Sequence, residues 1–230
     1  MTYVLITDQV TLINEDPVLN EAASLLSQSL RETEDELVRN MLLATAAFIN
    51  CTNGVNGDIP TEITREDVDI IIRTLVNANA KRITETLESE DKFGTAPTRQ
   101  AYFAMCHANM ITDIEAVTGF GSVAQYPSQD KILSAEWGAI SNLRFLVSSV
   151  GSISPDASAL AANVYNIFVT GQESYACVEL DGASAQFIYR PLGSGDDPLM
   201  LRQSCGYKFA SAERILNDAW CLNMRATRAV

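Results

Sequence analysis

Residues 16–50 read DPVLNEAASLLSQSLRETEDELVRNMLLATAAFIN, and the fold turns on how this stretch is interpreted. Asp16 suits an N-cap, because its carboxylate can accept bonds from the free amides of a first helical turn. Pro17 loses nothing there, since its missing N–H would have had no partner. Apolar or small residues recur at Val18, Ala22, Leu25/Leu26, Leu30, Thr33, Leu37, Met41, Ala44/Thr45 and Phe48. Steps of three and four place them on one face of a helix. No Pro or Gly follows Pro17 until Gly54. About 34 helical residues at 1.5 Å each give a rod roughly 50 Å long, more than the width of a small domain. The polar centre, Arg31 to Glu36, has little to bury. The stretch predicts one long helix across a sheet, its middle turned to water or to a neighbouring molecule.

The totals frame this helix. A chain of 230 residues with 47% hydrophobic and 20% charged content has the composition of an ordered globular protein. It is long enough to bury a substantial core in one large domain or two smaller ones. A formal charge of −13 argues against nucleic-acid binding, which draws on Lys and Arg to neutralise phosphates. The first residues, Met1-Thr2-Tyr3-Val4, show no basic region followed by an apolar run, as a signal peptide would. The longest apolar run, Met41 to Ile49, is far short of the ~20 residues that cross a bilayer. Cys51, Cys106, Cys177, Cys205 and Cys221 are odd in number and form no CxxC pair, so they read as reduced thiols of a cytosolic compartment.

Around the helix the chain predicts mixed α and β structure. Residues 3–12 are β-branched and aromatic enough for a strand. Residues 53–58, Asn-Gly-Val-Asn-Gly-Asp, form a turn-rich break. Thr64 caps a second helix running to about Ala80, with Asp67 completing a capping box and Val68, Ile71/Ile72, Leu75 and Val76 as its apolar face. Residues 81–100 read as an exposed loop, 101–107 as a buried central strand, 109–117 as a short helix, and 119–142 as irregular with one helical turn near Ile132. Strands are expected at 143–148, 164–169 and 187–190, with a short helix or strand at 173–180. Gly151 to Ala162 reads as a loop tip, and 193–198 as another loop. Leu201, Cys205, Tyr207 and Phe209 alternate with Arg202, Ser204, Gly206 and Lys208. Trp220, Leu222, Met224 and Ala226 alternate with Asn223, Arg225 and Thr227. Two such runs around a turn predict an antiparallel pair, each strand with one buried face.

Chemistry-bearing patterns are sparse. His107 is the single histidine and follows Cys106, but strand neighbours point to opposite faces, so adjacency does not make a nucleophile pair. Gly193-Ser194-Gly195 lacks the Lys of a phosphate loop and is followed by Asp196 and Asp197, which would repel phosphate. Glu32, Glu34, Asp35 and Glu36 read as a solvated helix surface, with a cation site as the sharper alternative. Asn50-Cys51-Thr52 matches a glycosylation acceptor without secretory context. No catalytic, cofactor-binding or metal-binding residue is assigned from these patterns.

A family resemblance adds to this reading. Arg190-Pro191-Leu192-Gly193-Ser194-Gly195-Asp196-Asp197-Pro198-Leu199, then Gly206-Tyr207-Lys208 and Ile215-Leu216-Asn217-Asp218-Ala219-Trp220, resembles the end of the major capsid proteins of N-four-type tailed phages. Tyr102 to His107 with Asp113-Ile114 is similar to that family's strand and following helix, Asn142 to Val147 to its next strand, and Val164 to Leu180 to the segment after. Asp16-Pro17 with the long helix resembles its spine helix. The similarity is spread over nearly all of residues 3–228, with Ala108 where the family usually carries Pro.

The resemblance implies an α+β chain of the Hong Kong 97-type capsid fold. Residues 1–58 and 199–230 would form a peripheral domain of spine helix and long hairpin, and 59–198 an axial domain. Gly151 to Ala162 would then be a candidate for a loop near a capsomer axis. The implied function is a structural shell subunit of a tailed-phage or prophage head enclosing double-stranded DNA. It would have no enzymatic activity and no cofactor. Its implied partners are its own copies, in pentamers and hexamers, together with scaffolding, portal and decoration proteins; no specific nucleic-acid or membrane contact is implied. Its place is the virion capsid, and the host cytoplasm during assembly. Family members carry an N-terminal arm and an extended loop before the strand at Tyr3. Their absence here leads to the expectation that this chain forms monomers or small oligomers. Three alternatives compete: a cellular nanocompartment shell of the same fold (encapsulin-like), a small-molecule enzyme using His107 or a cysteine, and a binding module whose acidic helix takes a basic partner.

Overall fold

The computed structural model describes residues 2–13, 18–52, 59–83, 100–126, 132–155, 162–179, 185–194, 197 and 199–228. In chain order the first elements are β1 (Thr2–Thr7), α1 (Asp8–Ile13), α2 (Val18–Thr45), β2 (Ala47–Asn50), α3 (Arg65–Asn77), β3 (Tyr102–His107) and α4 (Ile111–Ala116). Then come β4 (Phe120–Ser122), β5 (Glu136–Ile140), β6 (Leu143–Ser148), β7 (Ile153–Ser154), β8 (Val164–Thr170) and β9 (Tyr175–Glu179). The last are β10 (Gln186–Arg190), β11 (Arg202–Lys208), β12 (Ser211–Ile215) and β13 (Cys221–Thr227). The chain divides into two compact units, residues 1–38 with 177–213 and residues 39–176 with 214–230.

In the smaller unit, β11 lies between β1 and β10, antiparallel to both. Its register fixes two faces. Ile6, Cys205 and Tyr207 turn inward and meet Ala22 and Leu26, with Val18, Leu30 and Phe209 around them. The Tyr207 hydroxyl lies 3.3 Å from Ser29 Oγ and 3.4 Å from Thr33 Oγ1, so the helix also presents polar partners where the tyrosine tip arrives. This is the expected long helix on a sheet, and it runs unbroken for 28 residues, roughly 42 Å at the standard rise.

The helix differs from expectation at its edges. Asp16 and Pro17 lie outside the described residues. Leu25 and Leu37, counted into the apolar face, are 67% and 39% exposed, whereas Leu42 is buried. The helix stops at Thr45, not near Asn50, because Ala47–Asn50 leaves to pair in parallel with β13, where Arg225 sits 3.9 Å over the Phe48 ring. The expected strand over 3–12 also ends early. Asp8 donates its backbone N–H to Leu201 O at 2.9 Å and starts α1, a short helix with no buried residue.

The larger unit is built on an eight-stranded mixed sheet in the order β2-β13-β8-β3-β6-β5-β4, with β7 beside β8. All seven residues of β8 are buried, as befits a strand paired on both sides. The expected central strand at 101–107 is β3, between β8 and β6, with Tyr102, Ala104 and Cys106 inward. Val68, Ile71 and Leu75 of α3 and Met110 and Ile114 by α4 complete the core with Phe145, Ile167 and Met224. Thr64 caps α3 as expected. Its hydroxyl accepts from Asp67 N, and the Asp67 carboxylate accepts from Thr64 N at 3.0 Å, Thr64 Oγ1 at 2.6 Å and Thr52 N at 3.1 Å.

Three strand expectations are corrected. The runs 201–209 and 220–227 do not pair with each other: β11 joins β1 and β10, whereas β13 joins β2 and β8. Nor does β13 have a single buried face, since Cys221, Leu222, Asn223, Met224, Ala226 and Thr227 are all buried. Asn223 is tolerated inside because its amide donates to Asn166 Oδ1 at 3.1 Å, and Asn166 donates in turn to Ser152 and Ser154. Residues 119–142 are not wholly irregular, for β4 and β5 pair within them and Ile132 starts no helix; residues 127–131 lie outside the described residues. The near part of the 151–162 loop is tied down by β7 pairing with β8. Within the expected 173–180 segment, Tyr175–Glu179 form strand β9 beside β12. The expected break at 53–58, most of the 81–100 loop, residues 156–161, and Gly195, Asp196 and Pro198 lie outside the described residues.

Candidate assembly surface

The residues carrying the sharpest chemical potential in the sequence take structural roles. His107 ends β3; its Nδ1 accepts from Asn109 N at 3.0 Å and its ring tilts against Tyr165 with centroids 5.7 Å apart. Gly151 packs against its backbone so closely that a Cβ there would lie 2.6 Å from His107 Cα. Cys106 points to the opposite face and donates to Leu146 O at 3.4 Å. Burial pushes its thiol up to about 12, and Cys221, buried and near Asp218, also to about 12. Cys51 is pushed up by burial and by the Asp67 charge. Such thiols hold their protons and make poor nucleophiles. Cys51 is 1% exposed, which sets the Asn50-Cys51-Thr52 motif against the core and not in an open loop.

Two cavities, about 310 and 240 Å³, lie in the larger unit. The first is walled by apolar side chains such as Phe103, Met105 and Leu146, the second by Thr64, Arg65 and Asp113, and His107 lines neither. Among the described residues no group of three His, Cys, Asp or Glu side chains is placed to hold a metal ion. Glu136 and Arg144 face each other at 3.7 Å in the core, and the Tyr126 hydroxyl donates to Glu136 Oε1 at 2.9 Å. This buried pair braces β5 against β6.

What the structure leaves open to solvent is sheet and helix surface. In the smaller unit the register turns Tyr3 and Leu5 of β1, Ile188 and Arg190 of β10, and Arg202 and Lys208 of β11 to the side away from α2. Tyr3, Leu5 and Ile188 are 74%, 51% and 41% exposed. Gly206 lies between Tyr3 and Ile188, and a Cβ there would come within 2.8 Å of Thr2 O and Tyr3 Cβ. Every residue of β10 is exposed, and β10 is an outer strand of the sheet among the described residues. Leu12, Ile13, Leu199 and Met200 add further exposed apolar side chains. Tyr3, Leu5 and Ile188 form a small apolar group on this face, and outer strands invite pairing with another chain. The alternation in 201–209 carried a signal for the β11 half of this face. That β1 and β10 flank it was hidden, because strand partnership is a tertiary fact.

The fold is similar to that of solved phage capsid structures. The capsid of Ralstonia phage GP4 superposes with a TM-score of 0.67 at 9% identity, covering 100% of this chain and 73% of that one. The acid-stable capsid of Helicobacter pylori bacteriophage KHP30 gives 0.65 at 8% identity, covering 99% and 74%. The SrpI encapsulin of Synechococcus elongatus PCC 7942 gives 0.60 at 12% identity, covering 97% and 71%. No protein-family model matches the chain, and no curated protein matches it in sequence. The chain therefore has an α+β architecture of the Hong Kong 97-type capsid fold, the fold of tailed-phage head proteins.

Proposed function

We propose that this chain is a shell subunit, the major capsid protein of a tailed-phage or prophage head that encloses double-stranded DNA. The supporting observation is the fold match over essentially the full chain, joined to a long helix and an open-edged sheet whose exposed faces suit contact with further copies. In this reading the smaller unit with α2 corresponds to the peripheral domain. The larger sheet unit, which takes β2 and β13 with it, corresponds to the axial domain. The work is done by side-by-side contacts, each weak enough to correct errors and strong together in a closed shell. The subunits would form pentamers and hexamers, reside in the virion, and pass through the host cytoplasm, where scaffolding, portal and decoration proteins meet them. No catalysis is part of this role. The net charge of −13 suits a wall that does not grip its DNA by ion pairing.

The encapsulin likeness supports a second reading, a nanocompartment shell. Expression of the complete reading frame containing this sequence, followed by negative-stain microscopy, is expected to give closed particles or capsomers. A protein that stays monomeric in that form overturns both readings. Nuclease-protected DNA inside native particles favours the phage head, and a packaged enzyme favours the nanocompartment.

A further inference from the structure

We propose that the sheet face of β1, β11 and β10 directed away from α2 is a docking surface for the acidic strip of helix α2 from a second copy of this chain. The proposal rests on the shell reading and names one of its contacts.

The smaller unit is acidic, and its basic residues are Arg31, Arg190, Arg202 and Lys208. The last three all project from the same sheet face, and all are exposed. No carboxylate occurs on that face within the three strands, whose outward residues are Tyr3, Leu5, Thr7, Gln186, Ile188, Arg190, Arg202, Ser204, Gly206 and Lys208. Arg202 and Lys208 stand at opposite ends of β11, and Tyr3, Leu5 and Ile188 lie between them.

The helix carries the matching pattern. Glu21, Leu25, Gln28, Glu32 and Asp35 succeed one another in steps of four and three, so they form one strip beside the line that Ala22, Leu26 and Thr33 press toward the sheet. All five are exposed, and Gln28 donates to Glu32 Oε1 at 3.0 Å along the strip. Carboxylates flank an exposed leucine here, as cations flank exposed apolar side chains on the sheet. The lengths agree as well. Glu21 to Asp35 spans roughly 21 Å at 1.5 Å per residue, and Arg202 to Lys208 roughly 20 Å at ~3.3 Å per residue. A strip laid along the strands thus brings Glu32 with Asp35 to the Arg190 and Arg202 end and Glu21 to Lys208.

The two surfaces differ, so the contact is heterologous and propagates from copy to copy instead of closing a two-fold dimer. Three strands cover only about 300 Å². Such a contact is weak alone and acts as one of several in an assembly.

Charge reversal tests it. In the full chain, Arg190→Glu with Arg202→Glu, or Glu32→Lys with Asp35→Lys, is expected to weaken self-association at least tenfold by sedimentation equilibrium at low salt. The thermal midpoint should hold, because all four side chains are exposed. The chain carrying all four substitutions restores opposite charges across the contact, and its association should recover to near wild type. Molar salt should weaken the wild-type contact by screening. Reversed chains that associate as the wild type does, or a four-fold variant no better than the reversed pairs, overturn the contact and leave the shell reading intact. Retention of duplex DNA by the wild-type chain, lost in Arg190→Glu with Arg202→Glu, also overturns it by assigning the cations to phosphate. A wild-type chain that stays monomeric at its highest soluble concentration overturns it too.

Discussion

Single residues show how this protein spends polarity inside its core. Asp67 is 3% exposed and accepts bonds from both Thr64 and Thr52, tying the start of α3 to the segment leaving β2. Asp67→Ala strands those donors and is expected to cost roughly 2–3 kcal/mol, read as a lowered urea midpoint. Glu136→Leu leaves the Arg144 guanidinium buried without its counter-ion and should cost roughly 3–5 kcal/mol. Glu136→Leu with Arg144→Met should recover most of that loss, because both charges then leave the core together. The thiols set an alkaline limit. Cys106 and Cys221 stand at about 12 against an ordinary 9.0, so in the folded chain they hold protons that the unfolded chain releases. Their contribution is whole below pH 9 and is lost as the pH climbs from there toward 12. The urea midpoint should fall over that window, and less steeply in Cys106→Ala.

Among elements, α2 decides most. Its amphipathic pattern is real but rotated relative to a simple count of apolar positions: Leu26 is 3% exposed, and its neighbour Leu25 is 67% exposed. Leu26→Ala should therefore cost roughly 2–5 kcal/mol, whereas Leu25→Ala should stay within about 0.5 kcal/mol. Equal effects would mean the helix meets its sheet through a different face. The sheets are graded in the same way. β8 is paired on both sides and wholly buried, while β10 is an exposed edge. Amide hydrogen exchange should be slowest in β8 and near the unprotected rate along the outer edge of β10.

On the proposed shell reading, the function of the molecule as a whole lies in its surfaces. The lone imidazole caps a turn, burial holds the Cys51, Cys106 and Cys221 thiols protonated, and among the described residues no three His, Cys, Asp or Glu side chains are placed to hold a metal ion. His107→Ala should accordingly alter stability without abolishing particle formation from the complete reading frame, as seen by microscopy. Loss of a measurable turnover in that variant would instead move the protein into the enzyme class.

The long helix, the Thr64 cap, the buried strand at β3 and the α+β class were legible from sequence, because each follows from local spacing and local hydrogen bonding. The family resemblance extended that reading to a shell fold, and the superpositions agree. Strand partnership was not legible. The alternating runs 201–209 and 220–227 look alike along the chain, yet one lies in the small sheet and the other in the large one. Alternation reports which side of a strand is apolar and says nothing of which strand lies beside it. Likewise the helix gives up Ala47–Asn50 only because β13 offers an edge there. Spacing along the chain thus determined which elements exist. Pairing across it decided where α2 ends, which strands share a sheet, and that Arg190, Arg202 and Lys208 come to stand on one face.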